Sequence, residues 1–181
     1  MTVLVGYTST RWSTRGIAEE IADRLSKAGL QVFVHPLPDV ESLALYDAAV
    51  LGSPVQRGAW LSESTQFLAR HRAELASRPL WLFSVGSASQ LQSPIASFAP
   101  ELASLRGHRH FDGAVERGRW GRAADLLLRV CGGWPPVHPE FRAVDEWSAE
   151  IARQLLDREF AKERRRLRLV PPLPSQARRA R

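Results

Sequence analysis

The chain has 181 residues, 44% of them apolar, enough for one compact domain with its own core and too apolar for a disordered polypeptide. Its net charge of +6 would suggest an anion-binding surface, but residues 158–181 hold nine basic residues against two acidic ones, leaving sixteen against seventeen in the rest. The basic character thus belongs to one end, so nucleic-acid binding by the body is not expected, and the single cysteine, Cys131, excludes an internal disulfide.

In chain order, short β-branched and aromatic runs alternate with segments of helical period, the pattern of βα units around a parallel sheet. The expected strands are Thr2 to Tyr7, Gln31 to His35, Ala48 to Ser53, Pro79 to Val85 and His108 to Val115. The middle runs are continuously apolar, as strands covered on both faces are; the last, with His108, Arg109, His110 and Asp112, suits an edge. Ile17, Ile21 and Leu25, with Ala18 and Ala22, give one apolar stripe to a helix over Thr14 to Ala28, which Gly29 ends.

A short helical turn is expected after Asp39, with its carboxylate as N-cap. Trp60 to Ala76 reads as a helix, as does Ser93 to Leu105 despite Pro100. Val144 to Phe160 reads as the closing helix, with Trp147, Ile151 and Leu155 on one face. Residues 1–160 would form the domain and 161–181 a basic, proline-containing, disordered tail. This order fits a flavodoxin-like doubly wound α/β fold, a five-stranded parallel sheet of order 2-1-3-4-5. Ligands of such sheets lie beyond the carboxyl ends of the strands, here at residues 8–13, 54–59 and 86–92.

The first of these loops carries Thr8, Ser9, Thr10, Ser13 and Thr14 as it enters a helix. A helix N-terminus presents unpaired N–H groups and partial positive charge, and the hydroxyls add donors, so the loop suits a phosphate monoester. A simple helix cap within a polar loop is the plainer account. The G-x-x-x-x-G-K and G-x-G-x-x-G patterns are absent. In the second loop, Gly52 and Gly58 bracket a strand exit, and Trp60 is either a platform for a planar ring or the first core residue of its helix. His108 and His110 share a strand face, but no cysteine or carboxylate is placed to complete a metal site, and an exposed edge explains them better. Gly86-Ser87-Ala88-Ser89 lacks the G-x-S-x-G elbow of hydrolases.

The run Tyr7-Thr8-Ser9-Thr10-Arg11-Trp12-Ser13-Thr14-Arg15-Gly16-Ile17-Ala18 resembles the FMN phosphate loop of the flavodoxin-domain group that includes menaquinone-dependent protoporphyrinogen oxidase (protoporphyrinogen IX dehydrogenase). The likeness continues through Val50-Leu51-Gly52-Ser53-Pro54-Val55 with Gly58, Phe83-Ser84-Val85, Cys131-Gly132-Gly133 and Asp145-Glu146-Trp147. It implies an FMN-dependent oxidoreductase. Thr8, Ser9, Thr10, Arg11, Trp12, Ser13 and Thr14 would surround the phosphate. Pro54, Val55, Gln56, Arg57 and Gly58 would flank the isoalloxazine, with Ser84, Val85, Gly86 and Ser87 on its other side.

The resemblance further implies a quinone or other redox partner and a porphyrinogen substrate in heme biosynthesis. It implies a cytoplasmic protein with peripheral membrane contact through residues 116–137, although a core-facing helix is the plainer reading of that segment. The pattern departs where Trp12 replaces a usual glycine and Arg11 a residue that is often small or acidic; the Arg11 guanidinium can pair with the phosphate. The alternative that Trp12 raises is a module of the same fold that has lost FMN and acts in binding or regulation.

Overall fold

The computed structural model describes residues 1–8, 12–86, 95, 98, 99, 102–112 and 139–168, and the side chains among them except those of 12, 13, 139–141 and 166–168. The described elements are β1 (Thr2–Tyr7), α1 (Trp12–Lys27), β2 (Gln31–Pro36), a 3-10 turn (Leu37–Asp39), β3 (Ala48–Gln56), β4 (Ala59–Trp60), α2 (Ser62–Arg70), α3 (Arg72–Ala76), β5 (Leu80–Gly86), β6 (Leu105–Asp112) and α4 (Pro139–Arg168).

Five strands pair in parallel in the order β2-β1-β3-β5-β6, and β4 hangs from β3 as an antiparallel hairpin arm. Without β4 this is the order 2-1-3-4-5 expected of a flavodoxin-like sheet, with the polar strand at an edge. The chain leaves β1 in one direction and returns past it to β3. The carboxyl ends of β1 and β3 therefore flank the topological switch, where open α/β sheets bind their ligands.

Each face has its own core. Ile17, Ala18, Ile21, Ala22 and Leu25 of α1 and Val144, Trp147, Ile151 and Leu155 of α4 cover Val3, Val5, Trp81 and Phe83. Leu37, Phe67, Leu68 and Leu75 cover Leu4, Leu51 and Leu82 on the other face. Phe111 and Trp147 meet edge-to-face at 5.7 Å, with Phe83 beside both.

Gly29, at φ +92°, ends α1 in a Schellman motif: its N–H reaches Ser26 O and the Leu30 N–H reaches Leu25 O. On the surface Arg24 joins α1 to α4 through Asp145 at 2.7 Å, and the terminal amine of Met1 meets Glu159 at 3.2 Å.

Several expectations need correction. Trp60 lies in β4, and the helix expected over Trp60 to Ala76 is two helices broken at His71. The turn expected after Asp39 precedes it: Leu37–Asp39 is the 3-10 segment, Pro36 is its N-cap, and no side chain caps it. β6 begins at Leu105, the residue expected to end a helix, and stops at Asp112 among the described residues. The closing helix continues past residue 160 to Arg168, so the first part of the expected tail is helical. Lys, Glu and Arg there are good helix formers whose charge alone suggested solvated coil. Cys131, the segment 116–137, the remainder of 93–101 and residues 169–181 lie outside the described residues.

Candidate functional site

Three strand ends meet at the carboxyl edge of the sheet. β1 ends at Tyr7, and the following Thr8 N–H donates to Gly52 O at 3.0 Å, holding the start of the first loop against β3. The helix that follows starts at Trp12 and has no acidic residue in its first turn, so no carboxylate offsets the positive pole of its dipole. This feature fits a phosphate monoester.

The second loop is a tight hairpin. β3 runs through Pro54 and Val55 to Gln56, which pairs with Ala59, leaving Arg57 and Gly58 as a two-residue turn. Both have positive φ, 51° and 80°, as a type I′ turn requires. Ser53 closes the base of this arm: its Oγ accepts the Leu61 N–H at 3.2 Å and donates to Pro54 O at 3.0 Å. Gln56 and Arg57 are exposed, Pro54 and Gly58 half-buried.

A buried hydroxyl at β5 joins the hairpin to the sheet edge. Trp60 Nε1 donates to Ser84 Oγ at 2.7 Å, and Ser84 Oγ lies 2.7 Å from His108 Nε2. An indole N–H can only donate, so Ser84 Oγ accepts from Trp60; with a second lone pair and one proton of its own, it can accept from or donate to His108 Nε2 according to the imidazole tautomer. Burial, with His110 nearby, pushes the His108 pKa down to about 4, which favours the neutral ring. His110 Nε2 donates to Gly86 O at 3.0 Å, while its buried Nδ1 has no partner among the described residues. The two histidines are therefore half-buried strand ties rather than an open edge. Among the described residues no group of three potential metal ligands occurs.

These contacts sort the expected site residues. Thr8 is buried, with Oγ1 2.5 Å from the buried Ser64 Oγ at the start of α2, so its hydroxyl serves the core. The Ser84 side chain, fully buried between Trp60 and His108, cannot face a ring, and those of Val55 and Val85 point into the core. Trp60 is 5% exposed and packs against Phe98 at 5.3 Å, so it is a core residue and no platform for a planar ligand.

Pro54, Gln56, Arg57, Gly58 and Gly86 remain accessible at the strand ends, and Thr14 is buried in the first turn of α1. Trp12 and Ser13 open α1, although their side chains are not described; Ser9, Thr10, Arg11 and Ser87 lie outside the described residues. Sequence reasoning missed Ser53, Ser64 and the role of His108. Small hydroxyls and a strand histidine acquire meaning only when distant segments meet, and nothing local marks them.

The Flavodoxin domain family matches residues 4–124, about two thirds of the chain. The chain belongs to that family. The flavodoxin domain is an FMN-binding domain, and FMN is the cofactor that membership assigns here.

None of the curated proteins matches the chain. Among solved structures, a flavodoxin from the domain Archaea is similar at 15% identity and a TM-score of 0.57, covering 85% of this chain and 98% of that one. Oxidised Flavodoxin 1 from Bacillus cereus is similar at 13% identity and 0.59, covering 84% and 98%. The Flv1 flavodiiron core from Synechocystis is similar at 17% identity and 0.61, covering 87% of this chain but 36% of that one. At these identities the structural likeness establishes the fold alone. No helix among the described residues is long and apolar enough to cross a membrane.

Proposed function

We propose that this flavodoxin-domain protein binds FMN at the carboxyl edge of its sheet and transfers electrons. The observation that carries the reading is the placing of a carboxylate-free helix N-terminus and the Arg57-Gly58 turn at the carboxyl ends of β1 and β3, with a hydroxyl-rich sequence joining β1 to that helix.

In this reading Ser9, Thr10, Ser13 and the first-turn amides of α1 hold the phosphate, with Arg11 as its counter-charge. Gln56, Arg57, Gly58 and Gly86 border the ring. Thr8 and Ser84 act indirectly, Thr8 by fixing the loop's origin against α2 and Ser84 by fixing the hairpin arm against β5 and β6. The cofactor, when bound, supplies the redox chemistry, so the protein needs no acid or base of its own for electron transfer. The donor and acceptor that the sequence resemblance implies are protoporphyrinogen IX and a quinone, with contact at a membrane surface.

The test is the visible spectrum of the purified protein before and after incubation with excess FMN and desalting. A retained flavin spectrum is expected and justifies assaying protoporphyrinogen oxidation with a quinone acceptor; absence of turnover there removes the finer reading only. A folded protein that stays colourless overturns the proposal in favour of a binding module that has lost FMN.

A further inference from the structure

β2 and β6 are the outer strands of the parallel sheet, and their sequences treat the edge differently. β6 carries Arg106, Arg109 and Asp112 and a register shift at its start, the charges and bulge by which proteins keep an open edge from pairing. β2, Gln31–Pro36, has no lysine, arginine or carboxylate and keeps unbroken register with β1 along its whole length.

The amides of β2 alternate in direction. Gln31 N–H donates to Met1 O at 3.2 Å, so in the parallel ladder Gln31, Phe33 and His35 turn their backbone groups towards β1. Val32 and Val34 turn theirs outward, where no strand among the described residues pairs with β2.

Beside these outward amides lies an apolar patch. Phe33 and Leu45 are 41% and 83% exposed, two of the three exposed large apolar side chains among the described residues. Phe33 stacks on His35 and meets Tyr46, the neighbour of Leu45 in the chain, at 6.1 Å.

A second copy of the chain matches both features. Antiparallel pairing about a two-fold axis at Phe33 sets Val32 against Val34 of the second copy and Val34 against its Val32, satisfying all four outward N–H and all four outward C=O groups. The two Phe33 side chains then face each other in a non-hydrogen-bonded pair, where side chains approach most closely.

Charge selects the same direction. Lys27, exposed although paired with Asp23, precedes the amino end of β2, and exposed Asp39 follows its carboxyl end. Antiparallel pairing sets the basic end of one copy against the acidic end of the other, whereas parallel pairing would oppose like charges.

We infer that this protein forms a symmetric dimer in which the two β2 strands join two sheets into one. A strand about 20 Å long with its flanking patch covers less than the ~800 Å² per partner of a permanent complex, so the dissociation constant is expected at roughly 10–100 µM. Well below that range the single chain prevails. The proposed cofactor edges point in opposite directions and both stay open, so the dimer stands whether or not FMN binds.

The experiment is sedimentation velocity of the full chain from about 5 to about 500 µM, spanning the expected constant, joined to amide hydrogen exchange at both extremes. The mass is expected to rise from one chain to two and stop there, because a two-fold pairing uses each edge once. Phe33 and His35 amides should be protected throughout, and Val32 and Val34 amides only at high concentration. Phe33→Lys, which opposes two cations at the axis, and Leu45→Lys should each weaken association, the first by about tenfold or more.

A single-chain mass at every concentration, assembly beyond two copies, a dimer that leaves the Val32 and Val34 amides exchanging freely, or association unchanged by Phe33→Lys would each overturn the inference. Exchange on the unaltered chain decides it even if a variant fails to fold.

Discussion

Trp60 and Ser84, residues on different strands, share a buried 2.7 Å hydrogen bond in which the indole N–H can only donate. The base of the β4 arm is therefore fastened to β5 by a buried hydroxyl. Ser84→Ala leaves the indole N–H without an acceptor and removes the partner of His108 Nε2. The expected cost is about 1–3 kcal/mol in urea unfolding. The double variant Trp60→Phe, Ser84→Ala should cost less than the two single changes added together, because the orphaned donor disappears with the indole. Strict additivity would mean that the bond contributes nothing.

Acid should loosen the same tie. His108 titrates at about 4 in the folded protein against 6.5 ordinarily, so between these values the unfolded chain takes up a proton that the folded one refuses. Its contribution is complete above pH 6.5 and is lost as pH falls towards 4. Allowing for solvent screening of a half-buried ring, the loss is on the order of 1–2 kcal/mol. His108→Gln should flatten the stability profile across that window. Glu74 adds a second loss at lower pH: its hydrogen bond from His71 holds the carboxyl below the usual range, so its contribution disappears on protonation.

The hairpin tip predicts a gain as well as a loss. Arg57 occupies left-handed backbone at φ 51°, a conformation that asparagine tolerates better. Arg57→Asn should stabilise the fold by up to about 1 kcal/mol, read from the denaturation midpoint. Gly58→Ala should destabilise it by a similar amount, since φ is +80° even though no atom lies within 4 Å of the added Cβ. Gly52→Ala fails for another reason: its Cβ would fall 2.0 Å from the Phe83 ring, and a large loss of stability is expected.

Thr8 separates support from contact in the phosphate loop. Thr8→Val strands the buried Ser64 hydroxyl and should cost about 1–2 kcal/mol of stability, with FMN affinity changed less than it is by Thr10→Val. Flavin fluorescence titration of both variants checks this ordering. A larger affinity loss for Thr8→Val would return its hydroxyl to the cofactor.

The five parallel strands were legible because strands covered on both faces must be apolar along their whole length, as Ala48 to Ser53 and Pro79 to Val85 are. α1 was legible from the spacing of Ile17, Ile21 and Leu25. The β3–β4 arm was not: Arg57-Gly58 lacks the usual asparagine signal, and Trp60 next to a helical run reads as helix. β6 was placed too late because the bulge at Arg106 and Gly107 disguises its start. In the site, the loops were found from topology. The separation of supporting from contacting hydroxyls depends on Ser64 and His108, which are 56 residues from Thr8 and 24 from Ser84.

The direction of α4 has an electrical consequence. Its later turns lie at the amino edge of the sheet, where Glu159 meets Met1 and Arg158 lines a cavity with Pro79 and Arg106. From there the helix continues through Lys162, Arg164, Arg165, Arg166 and Arg168. The basic residues of this helical stretch are thus carried at the end of the sheet opposite the proposed flavin edge. In the field of an anionic surface such a body turns like a compass needle, basic pole inward, and holds its redox edge outward to whatever arrives from solution.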